Sequence, residues 1–115
     1  MDYWERDVTE EAFGYTESLD RVMEGLCLDY ERREGAINNY CCTGRTSVEY
    51  KYYNYKMYEG AAEIVGFLYA KTMIHEIGHR IGYAKTAIDC MSESTYKQKK
   101  LEVKINMARK LHLLD

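Results

Sequence analysis

Proline is absent from this chain of 115 residues, phenylalanine occurs twice, tryptophan once and histidine three times. Without proline, the breaks between elements have to be read from glycine and from polar clusters. No cysteine pair has the CxxC spacing, which argues against a cysteine zinc knuckle. No apolar run approaches the roughly 20 residues of a membrane span. The net charge of -3 supplies no electrostatic reason to expect nucleic acid. The opening residues, Met1-Asp2-Tyr3-Trp4-Glu5-Arg6-Asp7, lack the basic and apolar regions of a signal peptide. The expectation is therefore a cytoplasmic protein with no nucleic-acid or membrane partner. There Cys27, Cys41, Cys42 and Cys90 stay as reduced thiols.

What is present fits one globular domain over residues 1–115, with 46% hydrophobic and 30% charged residues and 12 tyrosines. Residues 3 to 13 suggest a short helix capped near Thr9. A helix follows over about 16 to 33, where Leu19, Val22, Met23, Leu26 and Tyr30 make one apolar face and Gly35 stops the run. Between Ala36 and Met57, Val48, Tyr50 and Tyr52 alternate with Glu49 and Lys51, a period of two. With Thr43-Gly44 as a turn, this predicts a β-hairpin or small antiparallel sheet. Its edge is either a place for an extended peptide to pair or part of a structural sheet with a tyrosine-coated surface. A second helix is expected from about 60 to 83, with Gly82 as its left-handed stop and Gly78 where another segment passes close. A last helix over about 94 to 113 carries two apolar faces. One faces the core and the other is available for self-association into a homo-oligomer.

Two of the three histidines stand in His75-Glu76-Ile77-Gly78-His79, which is HExxH. Residues four apart on a helix share a face, so both imidazoles are positioned for one Zn²⁺. The intervening Glu76 is placed to activate a zinc-bound water as general base. A catalytic zinc takes three protein ligands and one open position, so a third ligand has to come from elsewhere.

These residues resemble the zincin metallopeptidases. His75, Glu76, His79 and Gly82 match the metzincin form HExxHxxGxxH, and Met91 in Asp89-Cys90-Met91-Ser92 is similar to its methionine turn. The pattern departs at Lys85, which stands where the third histidine belongs and which, protonated, cannot ligate zinc. Thr86-Ala87-Ile88-Asp89 is similar to the segment that carries the aspartate ligand in aspzincins. That resemblance implies Asp89 as third ligand, ahead of Glu93 and Glu102, which would act as the glutamate of gluzincins does. The short chain also looks like the selecase-like minimal metallopeptidases and minigluzincins. Tyr83 and Tyr96 flank the loop as candidates to stabilise an oxyanion.

The expected architecture is thus α+β: helices on a small antiparallel sheet, a central HExxH helix and a C-terminal helix. The expected activity is zinc-dependent hydrolysis of peptide bonds in a peptide or unfolded protein. The alternative is a zincin-like metal-binding module that acts through self-association or partner binding.

Overall fold

The computed structural model describes residues 14–115, so the short helix expected over residues 3 to 13 lies outside them. The elements run α1 (Glu17–Leu28), α2 (Tyr30–Asn38), α3 (Gly44–Val65), α4 (Phe67–Gly78), a 3-10 turn (Tyr83–Lys85) and α5 (Glu93–Lys110). Among the described residues there is no strand. The α+β expectation is therefore corrected to an all-helical fold. No helix of the described residues is long and apolar enough to cross a membrane.

The region expected as a hairpin is where the sequence pattern misleads. Thr43 has extended backbone geometry and caps α3, a helix of 22 residues. Its buried side is Asn54, Met57, Gly60 and Ala61, with Tyr50, Tyr53 and Ile64 half-buried along the same stripe. That is helical spacing, but a polar residue sits in its middle. Asn54 is buried because it accepts a hydrogen bond from Arg33 Nε (2.7 Å) and donates one to the Tyr30 carbonyl (3.1 Å). Arg33, buried on α2, also donates to the Leu26 carbonyl at 2.8 Å. Buried polar groups are tolerated when paired in this way. The Arg33–Asn54 pair ties α2 to α3, and no apolar periodicity records it. Of the residues that carried the apparent alternation, Val48 and Tyr52 are exposed and Tyr50 is half-buried.

α1 starts at Thr16, whose side chain accepts from the Leu19 N–H at 3.2 Å. Its buried face is Asp20, Met23 and Cys27, while Val22 is half-exposed. The stripe is rotated from the apolar reading because Asp20 is drawn inward. Its carboxylate meets Lys104 Nζ at 2.8 Å and accepts from the Tyr15 hydroxyl at 2.7 Å. One residue, Asp29, separates α1 from α2, and its carboxylate grips the Arg32 guanidinium with two bonds of 2.6 Å. The long helix expected over 60 to 83 is likewise divided. Gly66 has φ +83°, a conformation that favours glycine, and it ends α3 and starts α4.

α5 is capped by Ser92 and lies against α3 and α1. Leu101, Ile105 and Ala108 are buried, and so are Val103, Met107 and Leu111. Both apolar faces of this helix are thus covered within the chain, which removes the surface argument for self-association through it. Lys110 bridges Glu59 (2.9 Å) and Glu63 (2.6 Å) on α3. The core closes around Met23, Met57, Met73, Met107, Ile74, Ile77 and Val103, all essentially without solvent contact.

The four cysteines are free thiols; Cys27 is buried, whereas Cys41 and Cys90 are exposed. Burial pushes the Cys27 thiol far above the ordinary cysteine range, which makes it a poor nucleophile. In native protein a disulfide reagent is expected to modify Cys41 and Cys90 rapidly and Cys27 only on unfolding. Fast modification of Cys27, read by mass spectrometry of the labelled peptides, would contradict this packing.

Candidate metal centre

The HExxH residues occupy the last turn of α4 and its cap. α4 ends at Gly78, and His79 is the C-cap. Arg80 takes the left-handed conformation (φ +54°) that the sequence suggested for Gly82, which has φ -91°. The Ile81 N–H then bonds the Glu76 carbonyl (2.9 Å) and the Arg80 N–H bonds the Ile77 carbonyl (3.3 Å). This is a Schellman closure, which satisfies carbonyls that a helix end otherwise leaves open. It fixes the backbone beneath both histidines. Their rings lie with centroids 4.3 Å apart, and both residues are exposed.

A carboxylate completes the group, and it comes from upstream. Glu31, in the first turn of α2, places Oε1 2.7 Å from His75 Nδ1. One ligand atom each from Glu31, His75 and His79 falls in a set whose members are all within 4.8 Å of one another. Gly78 explains how α2 gets there. A Cβ at Gly78 would sit 2.5 Å from the Leu28 nitrogen and 2.7 Å from its Cα. The end of α1 therefore crosses α4 in backbone contact, and the chain turns at Asp29 and delivers Glu31 beside His75. The close approach expected at Gly78 is present, and the element that makes it leads directly into the ligand-bearing turn.

Glu76 has a different environment. It is buried at 2% exposure and bonds into the loop after α4. Its Oε1 accepts from Thr86 Oγ1 (2.5 Å) and the Tyr96 hydroxyl (2.6 Å), and its Oε2 accepts from the Ala87 N–H (2.7 Å). Burial and the bond to Glu76 push the Tyr96 hydroxyl well above the ordinary tyrosine range, so it stays a donor. Nearby, Lys100 donates to the Ile81 carbonyl at 2.6 Å, and burial holds its ammonium below the usual lysine range. Glu76 thus pins residues 86 and 87 and α5 to α4.

The other candidates are dispersed. Asp89 is exposed, lies outside the Glu31–His75–His79 group, and has Tyr69 among its electrostatic neighbours. Glu93 pairs with Lys97 at 3.1 Å in the first turn of α5, and Glu102 with Lys99 at 3.5 Å. Lys85 is exposed in the 3-10 turn. Tyr83 donates to the Met91 carbonyl at 3.0 Å, so the two tyrosine candidates both have partners away from the histidines.

No family model, no curated protein and no solved structure matches this chain. The likeness to zincins rests on the motif alone.

Glu31 is the residue that sequence reasoning missed. It lies 44 positions before His75, inside the charged run Glu31-Arg32-Arg33-Glu34, with no spacing rule to link it to the histidines. The only signal was indirect: a glycine in the histidine-bearing turn asks what crosses it.

Proposed function

We propose that the chain is a helical metal-binding protein that holds a divalent ion of the zinc class with His75, His79 and Glu31. The observation that carries this reading is the convergence of two imidazoles and one carboxylate from two different helices. Two nitrogens and one oxygen suit zinc, and three protein ligands leave a position for water or another ligand. The three side chains are exposed, so they can adjust to the metal without repacking the core. A bound ion supplies Lewis acidity and a cross-link between α2 and α4. The protein's part is to present the ligands: the Schellman closure fixes the histidines, and the Gly78 crossing fixes Glu31.

Metal that binds only the folded chain stabilises it by mass action, about 2.7 kcal/mol at a free concentration one hundred times Kd. Zinc is expected to raise the unfolding midpoint of the apo protein with one equivalent bound. His79→Ala and Glu31→Ala should each remove that rise while leaving the apo midpoint nearly unchanged, because both side chains are exposed. An unchanged zinc effect in Glu31→Ala would take Glu31 out of the site, and an absent zinc effect in the parent protein would end the metal reading.

The motif supports a second reading, a zinc peptidase that cleaves unfolded protein. In that reading Glu76 has to leave its three donors to reach a reacting water, and substrate has to bind without a sheet edge. Chelator-sensitive cleavage of casein by the zinc-loaded protein is the expected result under this reading, and its absence would leave metal binding alone. The four unpaired thiols agree with a reducing compartment such as the cytoplasm.

A further inference from the structure

A pocket of about 340 Å³ opens beside the metal group, and Glu31 and His75 are part of its wall. Tyr30 and Ile74, both nearly closed to solvent, lie at its floor, and Glu34 and Lys71 form its polar rim. Glu34 and Lys71 are ion-paired at 2.7 Å, and the bond holds the Lys71 ammonium above the usual lysine range. An ammonium has three donors, so Lys71 can keep Glu34 and still serve a second acceptor.

The charge of this pocket depends on the metal. Glu31 and Glu34 against Lys71 leave one net negative formal charge. A divalent ion on Glu31 and His75 converts that to one net positive charge. The size is at the lower end of small-molecule sites, too small for a long chain to enter.

From the shared wall of this pocket and the metal group, we infer that the metal-loaded protein binds a small monocarboxylate. This rests on the metal reading above. The carboxylate sits between the ion and Lys71. Without metal the pocket is an acidic site and rejects the anion.

The test uses the full chain loaded with Co²⁺, whose visible absorption reports its ligands. A cobalt band that His79→Ala abolishes establishes the metal site; with no such band both readings fall together. With the band present, butyrate is expected to change it saturably, while butylammonium leaves it unaltered. Lys71→Met should weaken butyrate roughly tenfold, the value of one charge-assisted hydrogen bond, with the cobalt band itself intact. A cobalt band indifferent to butyrate, or butyrate affinity unchanged in Lys71→Met, overturns the pocket assignment and leaves the metal site standing. A tetra-alanine free acid that binds more tightly than butyrate would also overturn it, since the ligand would then be a chain terminus.

Discussion

Replacing Gly78 with alanine is expected to destabilise the protein by about 3 kcal/mol, near the upper end for overpacking a close contact. Two effects oppose each other. Alanine improves helix propensity over glycine by about 1 kcal/mol. The added Cβ, however, would lie 2.5 Å from the Leu28 nitrogen and 2.8 Å from the Cys27 carbonyl carbon. Those are backbone atoms of α1, so no side-chain rotation relieves the contact, and the helices have to separate. Separation moves the start of α2, and with it Glu31. The variant should therefore also lose metal affinity, although it alters no ligand. Gly25→Ala is the control. Gly25 lies in α1 and a Cβ there meets nothing within 4 Å, so alanine should stabilise by about 0.5 to 1 kcal/mol. Urea unfolding of both variants decides the matter. If Gly78→Ala is as stable as Gly25→Ala, the crossing is not as close as described.

This contrast shows which features the sequence made legible. The histidine pair was legible because both ligands lie on one helix, where spacing converts directly to direction. The existence of α1 and α5 was legible because apolar repeats run along them. The faces were harder. Asp20, Arg33, Asn54 and Lys104 are all buried, and each is buried through a partner distant in sequence. A polar residue with a distant partner looks like a surface residue in a hydrophobic pattern, so the stripe of α1 came out rotated and α3 looked like strand. Tyrosine added to this, since Tyr50, Tyr52 and Tyr53 suit a pleated surface as well as a helix. The place of Glu31 beside the histidines was illegible for the same reason. Glu31 reaches His75 only because α1 and α4 cross, and a crossing is a tertiary fact.

Replacing Glu76 is expected to separate its two roles, the one its motif suggests and the one its contacts show. Glu76→Leu keeps most of the volume but removes the acceptor for Thr86, Ala87 and Tyr96. The part-buried Ala87 N–H and Thr86 hydroxyl lose their acceptor, and a buried donor left unsatisfied costs about 1 to 3 kcal/mol, so a loss of about 3 kcal/mol is expected. Glu76→Gln should cost only about 1 to 2 kcal/mol, because one oxygen remains and the hydroxyl partners can reorient. The amide oxygen can take the Ala87 N–H, while the amide N–H₂ turns to the two hydroxyls. The Tyr96 hydroxyl already has the Ile81 carbonyl at 3.2 Å as a second acceptor. The ranking of the two variants in thermal unfolding thus reads the network: equal losses would mean that hydrogen bonding at Glu76 does not set stability. Glu76→Gln is also the clean test of chemistry, since it stays folded with its zinc ligands intact. If the zinc-loaded protein cleaves casein, a peptidase using Glu76 as base loses that activity in Glu76→Gln while binding zinc normally. Cleavage that persists in Glu76→Gln excludes Glu76 as the base and leaves it the role its three donors define, fastening the loop and α5 to the end of the histidine-bearing helix.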